Sequence, residues 1–134
     1  MTTPQKPHGP LRSFGRLQAR PLKARQAALF DTLMPKVAVP EEGAVEAARL
    51  MPGAAETWAE IGFGGGEHLA AQAARNPSVL LLGAEPFVNG VASALRHIEE
   101  QGLTNVRLWQ GDAREMIARA PDGFARHLRS LAAG

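Results

Sequence analysis

The sequence predicts an α/β fold with about three parallel strands, preceded by a helical extension. Beyond residue 55, short apolar runs alternate with stretches of helical periodicity, the pattern of parallel strands joined by crossover helices. The central run, Val79-Leu80-Leu81-Leu82, is apolar without alternation, as expected for a strand covered on both faces. Length adds a bound: 134 residues with 45% hydrophobic content suffice for one core and are too few for two.

Each element follows from local signals. Residues 1–20 hold most of the prolines before the first helix and few apolar groups, and read as a flexible basic arm. From Pro21 to Met34 apolar residues recur near helical spacing, with Pro21 in the first turn and Pro35 expected to end the helix. A second helix is expected over Glu41–Leu50, between Pro40 and Pro52. Strand Thr57–Ile61, a glycine loop and helix Glu67–Arg75 come next, broken by Asn76-Pro77. Strand Val79–Ala84, helix Phe87–Gln101 closed by Gly102, strand Val106–Gln110 and helix Ala113–Ala120 complete the set. Residues 21–123 thus read as an α/β domain, and 124–134 as a divergent tail with a short helix over Phe124–Leu131.

Composition narrows the function classes. The chain has no cysteine, which removes disulfides, thiolate metal sites and cysteine nucleophiles. His8, His68, His97 and His127 show no ligand spacing, so no metal site is expected. No apolar stretch approaches the roughly 18–20 residues of a membrane helix, and no secretory leader is evident, so the expectation is a soluble, cytoplasmic protein. The formal charge of +2 is uneven: Lys6, Arg12, Arg16, Arg20, Lys23 and Arg25 all precede the first acid, Asp31. Such an arm suits a phosphate backbone, which makes Arg12, Arg16, Arg20, Lys23 and Arg25 the candidate RNA contacts. A solvated leader is the competing reading.

Right-handed crossovers put the three strand ends on one carboxyl edge, where open α/β sheets bind ligands. Glu60-Ile61-Gly62-Phe63-Gly64-Gly65-Gly66-Glu67 runs from the first strand into a helix, Glu85 closes the second strand, and Asp112 follows the third. An acid at the end of the second strand can accept hydrogen bonds from both ribose hydroxyls. An acid after the third can reach an adenine amino group. Two ligands fit, a nicotinamide dinucleotide and S-adenosylmethionine. The dinucleotide fingerprint needs a third glycine where Glu67 stands, and a carboxylate there opposes a pyrophosphate. S-adenosylmethionine has no phosphate and carries a sulfonium and an amino group, so Glu60 and a net-acidic loop favour it. The candidate cofactor residues are therefore Glu60, Gly62, Gly64, Gly66, Glu85 and Asp112. The plainer alternatives are helix caps at Glu60, Glu67 and Glu85 and a turn residue at Asp112.

Four segments then carry a resemblance: Arg12-Ser13-Phe14-Gly15-Arg16, Ala59 through Leu69, Gly83-Ala84-Glu85-Pro86-Phe87-Val88-Asn89-Gly90-Val91, and Leu103 through Leu108. Together they resemble the bacterial tRNA (guanine-N7)-methyltransferase family, over roughly residues 12–123. The resemblance implies the amino-terminal part of a Rossmann-like class I methyltransferase fold, S-adenosylmethionine as methyl donor, and tRNA as partner, methylated at guanine 46. It also implies that Glu60, Glu85 and Asp112 are the donor-binding acids.

The family's later Pro-Asp-Pro-Trp-type motif is not matched here, so no catalytic residue is identifiable and a truncation is expected. A fragment that binds donor or RNA without turnover is the alternative. Three strands also leave a sheet edge unpaired, which predicts marginal stability or association. Codons for Arg129-Ser130-Leu131-Ala132-Ala133-Gly134, read from the second base of the arginine codon, can spell Asp-Pro-Trp-Pro-Arg. A reading-frame shift between Phe124 and Arg129 is therefore expected; the Leu128 codon, which cannot supply proline in that frame, counts against it.

Overall fold

A computed structural model describes residues 22–121; the basic arm with Arg12, Arg16 and Arg20 and the 124–134 tail with its expected helix lie outside the described residues. Three strands form one sheet in the order β1-β2-β3, with β1 Glu56–Ile61, β2 Val79–Ala84 and β3 Val106–Trp109. Both pairings are parallel. Ile61 stands opposite Ala84, and Ala84 opposite Trp109, so the three strands finish level. That register places every loop after a strand on one edge.

β2 is buried along its whole length, and Leu80, Leu81 and Leu82 are fully enclosed. Burial of each such leucine contributes on the order of 2 kcal/mol. Successive side chains alternate between two cores. Leu81 joins Leu69, Val91, Leu95 and Leu108 on one face, whereas Leu80 and Leu82 join Val39, Val45, Leu50 and Met116 on the other.

The first face is covered by α1 Ala24–Thr32, α2 Met34–Val37, α4 Glu67–Arg75 and α5 Val88–Gln101. In α5 the buried positions are Val88, Val91, Ala92, Ala94, Leu95 and Ile98, one stripe at helical spacing. Gly102 ends α5 in the left-handed conformation, φ 62°. Its N–H donates to the Glu99 carbonyl and that of Leu103 to the Ile98 carbonyl, a Schellman closure.

Three expectations need correction. Pro35 does not end the first helix. The chain turns at Leu33, and Pro35 lies in the first turn of α2, where its missing N–H has no intrahelical role. The helix expected over Glu41–Leu50 shrinks to α3, Ala47–Leu50. Gly43 takes φ 93°, and Val45 is drawn into the core while its N–H donates to the Arg119 carbonyl, so tertiary contacts override the local alanine pattern. The last helix, α6, spans Ala113–Ile117 instead of reaching Ala120, and Arg119 beyond it donates to the carbonyls of Pro40 and Gly43.

The sheet's two outer edges differ. Val39 donates to the Leu108 carbonyl at 2.8 Å, so the extension covers the outer edge of β3 with a single parallel bridge at Ala38. Among the described residues, β1 pairs with β2 alone.

Candidate functional site at the carboxyl edge of the sheet

The turn from β1 into α4 departs from regular backbone at its glycines. Gly62 and Gly64 take φ 69° and 64°, and a Cβ built on either would meet nothing within 4 Å. Their role is therefore conformational, and the loop surface over them stays open. Gly90 serves close packing instead, and Gly66, at φ 86°, serves both. A Cβ on Gly66 would come within 2.8 Å of the Ala94 Cβ, and one on Gly90 would press into the Gly64 carbonyl. The first turn of α5 thus sits directly against the loop.

Glu85 locks this arrangement. One carboxylate oxygen accepts from the Gly64 N–H at 2.8 Å and the other from the Phe87 N–H at 3.1 Å. A carboxylate has about four acceptor sites, so each oxygen keeps capacity for a further donor. Glu85 therefore braces the turn after β2 without exhausting its hydrogen-bonding ability; the N-cap of α5 is Phe87, so Glu85 is not the helix cap that the alternative reading expected.

Glu60, at the other side of the loop, is also buried, but its Oε1 has no hydrogen-bond partner among the described residues. Its nearest charge partner is the His68 Nδ1 at 3.5 Å. Burial pushes the Glu60 carboxyl up from its ordinary range, and His68 partly opposes that shift. With Glu67 and Glu85, three carboxylates surround a loop whose facing bases are His68 and His97, the latter 3.9 Å from Glu67. A loop so lined favours a cationic ligand group over an anionic one. Ile61 and Phe87, each about half exposed, add an apolar margin.

Asp112 reaches the same edge in a different state. It N-caps α6 through the Arg114 N–H at 2.8 Å, and the Arg114 guanidinium folds back onto it at 2.6 Å. Those hydrogen bonds hold its carboxyl down to about 2. Of the expected donor residues, the structure gathers Glu60, Gly62, Gly64, Gly66 and Glu85 around one turn. Asp112 stands at the edge, engaged by its own helix.

Lys23 and Arg25 belong to the α1 end of the molecule. Arg25 pairs with Glu99 at 3.1 Å near the carboxyl end of α5, remote from the glycine loop at that helix's start. His68 and His97 were named from sequence only as histidines without ligand spacing, and Ile61, Phe87 and Gly90 only within longer segments, none of them as a site residue. The Glu60-to-His68 contact spans a strand and a loop, and no local pattern announces it.

Residues 54–124, more than half of the chain, match the family described as "Putative methyltransferase". The chain belongs to this methyltransferase family. Curated relatives of this family member include the tRNA (guanine-N(7)-)-methyltransferase of Caulobacter vibrioides strain NA1000 / CB15N, 65% identical over 91% of this chain and 54% of that protein. The protein of the same name from Hyphomonas neptunium is 49% identical over 84% of this chain and 52% of its own length. That from Rhodospirillum rubrum is 44% identical over 93% and 51%. The chain spans about half the length of these methyltransferase relatives. Its fold is the Rossmann-like α/β arrangement expected of a methyltransferase, three parallel strands with helices on both faces. No helix among the described residues is long and apolar enough to cross a membrane.

Proposed function

We propose that the carboxyl-edge site binds S-adenosylmethionine and that the protein acts in forming N7-methylguanine at position 46 of tRNA. The observation that carries the donor reading is the buried Glu60 carboxylate with an unpartnered oxygen beside an open glycine loop. A buried charge without a hydrogen bond is costly, and a cationic ligand group would relieve it. Glu60 would hold the cationic end of the donor, the backbone of Gly62–Gly66 would lie against it, and the spare acceptor sites of Glu85 would take the ribose hydroxyls. Asp112 would contribute toward the adenine only if Arg114 swings away, and the exposure of both side chains allows that movement.

The bound donor supplies an electrophilic methyl group. Guanine N7 presents a free lone pair, so the transfer requires no base to remove a proton. Positioning and electrostatics then carry catalysis, which accords with a site whose acids bind and orient without acting as proton acceptors. The tRNA assignment rests on the named relatives and on the basic residues before Asp31.

Isothermal calorimetry with S-adenosylmethionine and with a nicotinamide dinucleotide tests the donor reading, and transfer of a labelled methyl group to unmodified tRNA tests the reaction. Heat with the first ligand alone supports the donor site, and heat with the dinucleotide alone overturns it. Donor binding with no label on tRNA would leave a binding protein without turnover.

A further inference from the structure

Donor binding accounts for Glu60 but gives His68 no part. The two are the nearest charge partners across the loop, with His68 Nδ1 3.5 Å from Glu60 Oε1. That distance allows an ion pair but exceeds the roughly 2.7–2.9 Å of a well-formed charge-assisted hydrogen bond. The Glu60 side chain is 9% exposed and that of His68 45%, so the base can exchange protons with solvent while the acid cannot readily do so.

His68 lies in the first turn of α4, where the positive end of the helix opposes an imidazolium. Glu60 is the group that favours one. Of the other titratable groups around the loop, Glu67 is largely exposed and lies 3.9 Å from His97, and Glu85 accepts from two backbone N–H groups. Asp112, at the next strand end, is held by Arg114. Imidazolium and a cationic ligand group would therefore compete for one buried carboxylate.

We propose that His68 is a positioning residue for the donor site: it counter-charges Glu60 while the site is open and yields the carboxylate, with loss of its proton, when a ligand cation arrives. The N–H bond at Nδ1 gives its proton to solvent, its electron pair stays on the nitrogen, and the ligand cation replaces the lost charge. This inference rests on the donor reading above.

Histidines change charge between about pH 5 and 8, so the competition falls within an accessible range. Calorimetry with S-adenosylmethionine in buffers of different ionisation enthalpy would show protons released on binding. Affinity in the wild-type protein should fall about tenfold per pH unit once His68 is charged, the limit for linkage to one proton. In His68→Asn the number of protons released should drop, and affinity near pH 6 should match or exceed the wild type's. The comparison cancels the ligand's own ionisation. His68→Lys, with a permanent cation, should bind at least tenfold more weakly across the range. Equal proton release in wild type and His68→Asn would overturn the proposal.

A second measurement needs no donor. In the ligand-free protein, the His68 ring signals followed by NMR should move in Glu60→Gln relative to wild type, and unmoved signals would overturn the pairing. If wild type binds no S-adenosylmethionine at any pH, the donor reading and the proton release fall together, and the ligand-free spectra then decide the Glu60–His68 pair alone.

Discussion

The two ends of the sheet are built in opposite ways. At the amino end, polar groups are matched: the buried Asn105 amide donates to the carbonyls of Ala73, Asn76 and Val79 at 2.9–3.1 Å. Arg107 there donates to the carbonyls of Thr104, Val106 and Leu50. At the carboxyl end, Glu60 Oε1 and the Trp109 indole N–H are buried without hydrogen-bond partners among the described residues, and Ile61 and Phe87 stand half exposed. One end is arranged for stability, and the other holds buried polar atoms without a hydrogen-bond partner among the described residues.

The largest effect is expected at the amino end. Asn105→Ala strips a donor from three buried carbonyls and should cost about 3 kcal/mol. A urea titration reads it as a lowered midpoint, and an unchanged midpoint would break the comparison. Next comes Gly90→Ala, whose methyl group presses on the Gly64 carbonyl. It should cost about 2 kcal/mol as overpacking and weaken S-adenosylmethionine at least tenfold by displacing the loop.

Glu60→Gln should act with the opposite sign. Burial holds the Glu60 pKa above its ordinary 4.5, so its burden on the fold is absent below that pH and grows as pH rises through the raised value. The substitution should therefore stabilise the protein at pH 7 by about 1 kcal/mol while abolishing donor binding, and the stability gain should vanish below pH 4.5. Melting curves at both pH values check it, and a destabilised variant at pH 7 would show that the contact with His68 outweighs the cost of burying the carboxylate.

Asp112 gives the smallest effect. Its lowered pKa means that the contribution is present above about 3.8, the ordinary value, and is lost as pH falls through about 2. Arg114→Ala should move the Asp112 titration upward by NMR with little change in melting temperature.

What was legible in the sequence was local. The unbroken apolar run of β2, the glycines after β1 and the acid after β2 each announce themselves within a few residues. Helix α5 was equally plain, because its apolar stripe and terminal Gly102 agree. The segment from Pro40 to Glu46 was not, since its course is set by Arg119 some 76–79 positions later and by the burial of Val45. At the site, the acids could be found, but their states could not. Glu85 is hydrogen-bonded by the glycine loop, Asp112 is held by Arg114 of its own helix, and Glu60 Oε1 has only the longer contact with His68, and those differences are set by three-dimensional geometry.

The chain's two tryptophans fall on either side of this divide. The Trp58 indole reaches back to the Glu56 carboxylate at 2.7 Å, toward the start of β1. Trp109 closes β3, with the Arg119 guanidinium 5.1 Å from its ring centre and its N–H shielded from solvent. Intrinsic fluorescence is thus divided between the two ends, one emitter beside the ligand edge and the other at the structural end, and a single-tryptophan variant of each kind would report binding and unfolding as separate optical signals.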